Sequence, residues 1–116
     1  MSDSLRYRNV LNLLGMARIA KVLTSGEEGC LNAIRSQKAW LVLISKDASA
    51  PTRKKFHDKC QFYEVEILDT DFTMEELGKA IGMSHRSSLA ILYKGQAEKF
   101  KLRLRQTTGE NNSGSY

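Results

Sequence analysis

Ala39-Trp40-Leu41-Val42-Leu43-Ile44 is an unbroken apolar run, with polar residues at Ser36-Gln37-Lys38 before it and Ser45-Lys46-Asp47 after it. A strand with one face in water alternates apolar and polar residues, so a continuous run reads as a central β-strand covered on both faces. Two covered faces need a layer on each side. The cross-section predicted is therefore helix, sheet, helix.

Working outward, Leu5, Val10, Leu11, Leu13, Leu14 and Ala17 recur at helical spacing and predict a first helix from Leu5 to Ala20, with Asp3 or Ser4 as its cap. Val22-Leu23-Thr24 is short, β-prone and ended by Ser25-Gly26, which reads as a strand. A second helix is expected from Glu27 to about Ser36, with Leu31 and Ile34, and Cys30 beside them, turned inward. Downstream, Pro51 follows Ser49 and suits the first turn of a helix from Ala50 to Lys59 or Cys60. Tyr63 to Leu68 alternates enough for a half-exposed strand. Thr73-Met74-Glu75-Glu76 is a T-x-x-E capping box opening a fourth helix that ends near Gly82. Ser88 to Tyr93 reads as the fourth strand, and Gln96 to about Arg105 as the last helix. The fold class is α/β: a three-layer α-β-α sandwich with a mixed four-stranded sheet, one domain over residues 1–105. From Gln106 to Tyr116 there is almost no apolar content, and a disordered tail is expected.

The chain has 116 residues, enough for one domain that buries roughly two thirds of its unfolded surface without cross-links. No stretch of about 18 apolar residues exists to span a membrane, and the first residues lack a signal-peptide core. Cys30 and Cys60 form no C-x-x-C motif and read as reduced, buried thiols. A net charge of +5, from 18 Lys+Arg against 13 Asp+Glu, suits an anionic partner.

Enzymatic motifs are missing from the sequence: there is no GxGxxG, no P-loop and no HExxH. His57 and His85 have no Cys or His at metal-ligand spacing. Glu27-Glu28 and Glu75-Glu76 fall in first helical turns, where acids offset the helix dipole. The reading is of a non-enzymatic binder with no metal and no cofactor. Its most informative place is Ser25-Gly26-Glu27-Glu28, where a helix starts on a basic chain. There the N–H groups of residues 26 to 29 are expected to point outward, and Gly26 lets a ligand approach the backbone. Asn32 lies one turn on from Glu28, with Arg35 near it. Arg18, Lys21, Lys38, Lys46, Arg53 and Arg86 are expected to ring this end with positive charge. Ser25-x-x-Glu28 is equally a capping box, in which case Glu28 serves only the backbone.

Leu14-Gly15-Met16-Ala17-Arg18, Ser25-Gly26-Glu27-Glu28, Lys46-Asp47-Ala48-Ser49, Thr52-Arg53-Lys54-Lys55 and Glu76-Leu77-Gly78-Lys79-Ala80-Ile81-Gly82 follow in order over about residues 5–102. Together they resemble the ribosomal-protein L-seven-Ae superfamily, and more closely its small bacterial members of the YlxQ type. The resemblance implies an α-β-α sandwich that binds kink-turn RNA, a sharply bent duplex with sheared G·A pairs. It also implies a monomeric cytoplasmic protein, without a cofactor, associated with ribosomal or other structured RNA.

In that family the start of the second helix contacts the G·A pairs through a Gly-x-Asn-Glu-x-x-Lys-like pattern. Gly26 matches the glycine, whereas Glu28, Gly29 and Asn32 stand at the asparagine, glutamate and lysine positions. An ionised Glu28 cannot donate to guanine O6 or N7 but can accept from guanine N–H groups. The loop from Gly82 to Ser88 matches the family's second contact loop, and its His85, Arg86 and Ser87 suit phosphates or 2′-hydroxyls. The RNA-binding residues expected are thus Gly26, Glu28, Gly29, Asn32, Arg35, Lys38, Lys46, His85, Arg86 and Ser87. The departures at Glu28, Gly29 and Asn32 motivate an alternative: a protein-interaction module on the same fold with a degraded RNA site.

Overall fold

The computed structural model describes residues 2–108, with side chains over 7–106. Its elements are α1 (Ser2–Ile19), β1 (Leu23–Ser25), α2 (Glu27–Arg35), β2 (Leu41–Ile44), α3 (Ala50–Tyr63), β3 (Glu66–Asp69), α4 (Met74–Ala80), β4 (Ser88–Ile91) and α5 (Lys94–Thr108). This is the predicted alternation. The sheet has the order β1-β4-β2-β3. β2 runs parallel to β3 and antiparallel to β4, and β1 is antiparallel to β4. The sheet is therefore mixed, as expected, and β2 and β4 are its centre.

Pleat alternation sorts the core into two layers. Leu41, Leu43, Leu89 and Ile91 pack with Val10, Leu14, Leu77 and Phe100 beneath α1, α4 and α5. Val42, Ile44 and Ala90 pack with Cys30, Ile34, Phe56 and Cys60 beneath α2 and α3. Every residue of β2 and β4 is buried. Phe56, Phe72 and Phe100 are almost wholly buried, each contributing about 1.5–3 kcal/mol of transfer free energy.

Several expected boundaries move. α1 already includes Asp3 and Ser4, so it starts ahead of both expected cap positions. α3 runs to Tyr63, and Glu64 closes it in the left-handed conformation, φ 59° and ψ 47°, with its N–H bonded to the last carbonyls. Tyr63 thus belongs to a helix, and β3 starts only at Glu66. β2 begins at Leu41, which leaves Trp40 outside the strand and half exposed. α5 starts two residues before Gln96 and continues through 106–108, so the expected tail is helical there. The remainder of that tail, 109–116, lies outside the described residues.

Because β1, β2 and β3 point the same way, their carboxyl ends meet the start of β4 at one end of the sheet. α2, α3 and α4 all begin there. In open α/β sheets this is where ligands bind.

Candidate functional site

At this end Ser25 closes β1 opposite Leu89, and the N–H of Gly26 donates to Ser88 O at 3.1 Å. Gly26 then turns the chain into α2 with φ 87° and ψ 160°, a region open essentially to glycine alone. Its carbonyl accepts the first helical bond, from Cys30 N. The N–H groups of Glu27, Glu28 and Gly29 meet no acceptor among the described residues. This corrects the expectation in two ways: the Gly26 N–H is already bonded, and the Ser25-x-x-Glu28 capping box does not form. Glu27 pairs instead with Lys55 of α3. Glu28 is exposed.

The other two helix starts are filled by their own chain. The Ser49 hydroxyl accepts from Thr52 N at 3.2 Å, and Pro51 brings no N–H to satisfy. Thr73 and Glu76 form the predicted capping box on α4, with bonds of 3.1 and 2.9 Å. The Asp47 carboxylate also accepts from Met74 N at 2.9 Å. Partial desolvation pushes the Asp47 carboxyl up, but the hydrogen bond from the Met74 N–H works against it, and the carboxyl is held below the usual range. Among three starts, only α2 has no side-chain cap.

The loop between α4 and β4 packs beside Gly26. It is seated on Gly78, where a Cβ would stand 1.8 Å from Ser84 O. Its Arg86 side chain folds back: Nε donates to Ser25 Oγ at 3.2 Å, and Nη1 to His85 O at 2.9 Å. Nη2 lies 3.5 Å from Met83 Sδ, which also receives the Ser25 hydroxyl at 3.6 Å. Arg86 thus fastens the loop to the end of β1 while bringing a charge there. Ser87 O accepts from Ser45 N at 3.0 Å, and His85 is exposed. Ser25 and Met83 were not among the expected site residues. The signal that could have found Met83 is one large apolar residue in an otherwise polar loop.

The expected ring of charge is only partly assembled. Arg18 reaches the loop, with a guanidinium nitrogen 3.6 Å from where a Gly82 Cβ would be. Lys46 is exposed at the end of β2, 3.7 Å from Asp71. Arg53 is locked: Nη1 donates to Asp69 at 2.7 Å, and Nη2 to the carbonyls of Ser45 and Lys46. Asp69 also faces His57 Nε2 at 2.9 Å. Desolvation pushes the Asp69 carboxyl up; the hydrogen bond and charge of His57, then those of Arg53, outweigh it and hold it low. Lys21 lies at the opposite end of the sheet, since its neighbour Val22 accepts from Leu92 N at 2.7 Å.

Gly29, Asn32 and Arg35 run along α2 away from its start, and Lys38 follows three residues past its end. At about 1.5 Å per residue, Arg35 is roughly 13 Å from Gly26. These four line an open groove of about 590 Å³ with Thr24 and Leu92. A Cβ on Gly29 would meet Thr24 Oγ1 at 2.7 Å, so this glycine also lets α2 close on β1. Arg35 Nη2 donates to Asn32 Oδ1 at 2.8 Å. The expected residues therefore divide into Gly26, Glu28, Lys46, His85, Arg86 and Ser87 at the end of the sheet, and a flank along α2.

Residues 8–101 match the Ribosomal protein L7Ae/L30e/S12e/Gadd45 family. The chain belongs to it. It is similar to the RNA-binding protein YlxQ of Bacillus subtilis (strain 168), at 39% identity over 75% of this chain and 86% of that one. It is also similar to the RNA-binding protein YlxQ of Enterococcus faecium, at 37% identity over 81% and 89% of the two chains. Among solved structures, a protein of unknown function from Bacillus halodurans C superposes with a TM-score of 0.77 at 33% identity, covering 82% of this chain and 95% of that one. The Giardia lamblia 15.5kD RNA binding protein shares the fold, with a TM-score of 0.67 at 20% identity over 94% and 90%.

In this family member both cysteines are free thiols buried between α2, α3 and the sheet. Burial pushes the Cys30 thiol up to about 12 and the Cys60 thiol up to about 11, which suppresses the reactive thiolate. Among the described residues no group of three or more His, Cys, Asp or Glu could hold a metal ion. No described helix is long and apolar enough to cross a membrane.

Proposed function

We propose that this protein binds structured RNA at the end of the sheet where α2 begins, with kink-turn-like or ribosomal RNA as the ligand. The observation that carries the reading is the uncapped start of α2. Its N–H groups at Glu27, Glu28 and Gly29 are unmatched beside a residue with no side chain, whereas α3 and α4 are capped from within. Phosphate oxygens or base acceptors complete such a helix end. Glu28 adds a carboxylate that accepts from guanine N–H groups. Arg86 holds the second loop against Ser25 and supplies charge. The relatives named RNA-binding proteins support the same ligand class.

The test is a gel shift at low salt with a kink-turn RNA and a straight duplex of matched length. A preference for the kinked RNA is expected, with affinity falling steeply as salt rises. Arg86→Glu should weaken binding at least about tenfold, since hydrogen bonds to charged groups are worth on the order of 1.5–3 kcal/mol. No shift at low salt, or no preference, sinks the kink-turn version. RNA retention that ignores Arg86→Glu favours a protein-interaction module on this fold.

A further inference from the structure

At the opposite end of the sheet Trp40 is 51% exposed. Its N–H donates to Ile91 O at 2.8 Å, so the backbone is fixed while much of the side chain stays uncovered. Trp40 and Tyr63 line a groove of about 480 Å³ together with Gln37 and Glu64. Phe62, 77% exposed, packs edge-on against Tyr63 with ring centres 4.8 Å apart. The Lys94 ammonium lies 5.8 Å from the centre of the Trp40 ring. Exposed aromatic residues gathered in one place mark an interaction surface, whereas scattered ones do not.

The chemistry around the rings selects the occupant. Lys94 has no carboxylate partner among the described residues, and Glu66 on the groove wall is neutralised by Lys101 at 2.7 Å. Glu64, Glu66 and Lys94 crowd the ring with charged groups, which are depleted at the centre of a protein interface. Flat rings, an uncommitted lysine, and an amide and a carboxylate able to meet base edges are the components of a single-strand platform.

We propose that an unpaired base of single-stranded RNA stacks on Trp40 in this groove, with Lys94 taking a flanking phosphate and Gln37 and Glu64 facing the base edge. Base stacking outweighs an exposed cation–π contact, so the Lys94 ammonium leaves the ring and turns to a phosphate. This site is distinct from the Gly26 end and needs no kinked RNA.

Trp40 is the only tryptophan in the chain, so its emission reports on this groove alone. Titrating the protein with a short single-stranded RNA of mixed sequence should quench that emission saturably, whereas a duplex at the same concentrations should not. The Lys94→Glu variant should need at least threefold more RNA. Trp40→Ala, followed by anisotropy of the labelled strand, should lose the same binding. Arg86→Glu should leave the quenching unchanged, which separates this site from the kink-turn reading. Absent quenching at low salt, or quenching indifferent to Lys94→Glu, overturns the proposal. So does emission that ignores RNA but shifts with protein concentration, which would assign the face to self-association.

Discussion

The two ends of the sheet present opposite kinds of surface. Where β1, β2 and β3 finish, the chain has spent its polar side chains on itself: Ser49, Thr73, Glu76 and Asp47 cap helices, and Arg86 ties a loop to Ser25. What remains open is backbone at the start of α2, with Glu28 and His85 exposed beside it. Where β2 and β3 begin, the backbone is closed by strand bonds and a left-handed cap, and side chains stand out: Trp40, Phe62, Lys38 and Lys94. A surface made of backbone is governed by conformation and close packing. A surface made of side chains is governed by residue identity. The first should break when a glycine gains a methyl group, and the second when a ring is removed.

The largest test of that difference is Gly78→Ala. Its Cβ would stand 1.8 Å from Ser84 O, so the loop must move or the helix must shift. Overpacking of this kind costs about 3 kcal/mol, and thermal unfolding should fall by on the order of 10–20 °C. Binding of structured RNA should fall with it in the protein that remains folded at low temperature. The response of Trp40 to single-stranded RNA should be kept, and its loss would show that the two ends are not independent.

Gly26→Ala is a narrower probe. Nothing lies within 4 Å of the added carbon, so only the φ of +87° opposes it. The expected loss of stability is about 1–3 kcal/mol, read by denaturant unfolding with an unchanged m-value. A neutral result would mean that the chain enters α2 by another route.

Asp69→Asn should have the smallest effect. The wild-type carboxyl is held below its ordinary value of about 3.9, so its contribution is full above that pH. It is lost as pH falls through the lower native value, and below that the two proteins should unfold alike. The pair with Arg53 is partly exposed, so the difference near neutrality should stay under about 1 kcal/mol. Stability curves that diverge further as acid is added would contradict this sign.

The sequence displayed the backbone surface better than the side-chain one. Ser25-Gly26, Pro51 and Thr73-x-x-Glu76 are punctuation with local physical causes, and the structure places helix starts at all three. The central run Leu41–Ile44 was legible because a fully covered strand has no polar alternation. Trp40 was not: hydrophobicity alone put it in that run, and only the register with Ile91 shows the strand starting after it. Tyr63 reads as strand because the alternation at Tyr63 to Leu68 carries no mark of the left-handed turn at Glu64. Long-range pairing was equally hidden. Arg53 reads as a surface cation, yet Asp69, 16 residues on, takes its charge. No local pattern announces that Arg86 reaches Ser25, 61 residues away.

The two thiols give the α2–α3 layer an internal clock. Cys30 sits on α2 and Cys60 on α3, 0% and 1% exposed in one cluster. A thiol reagent in solution therefore meets them only when the layer parts. Their modification rate counts those openings, and because α2 also carries the uncapped N–H groups, an RNA seated there would slow the clock by the strength of its hold.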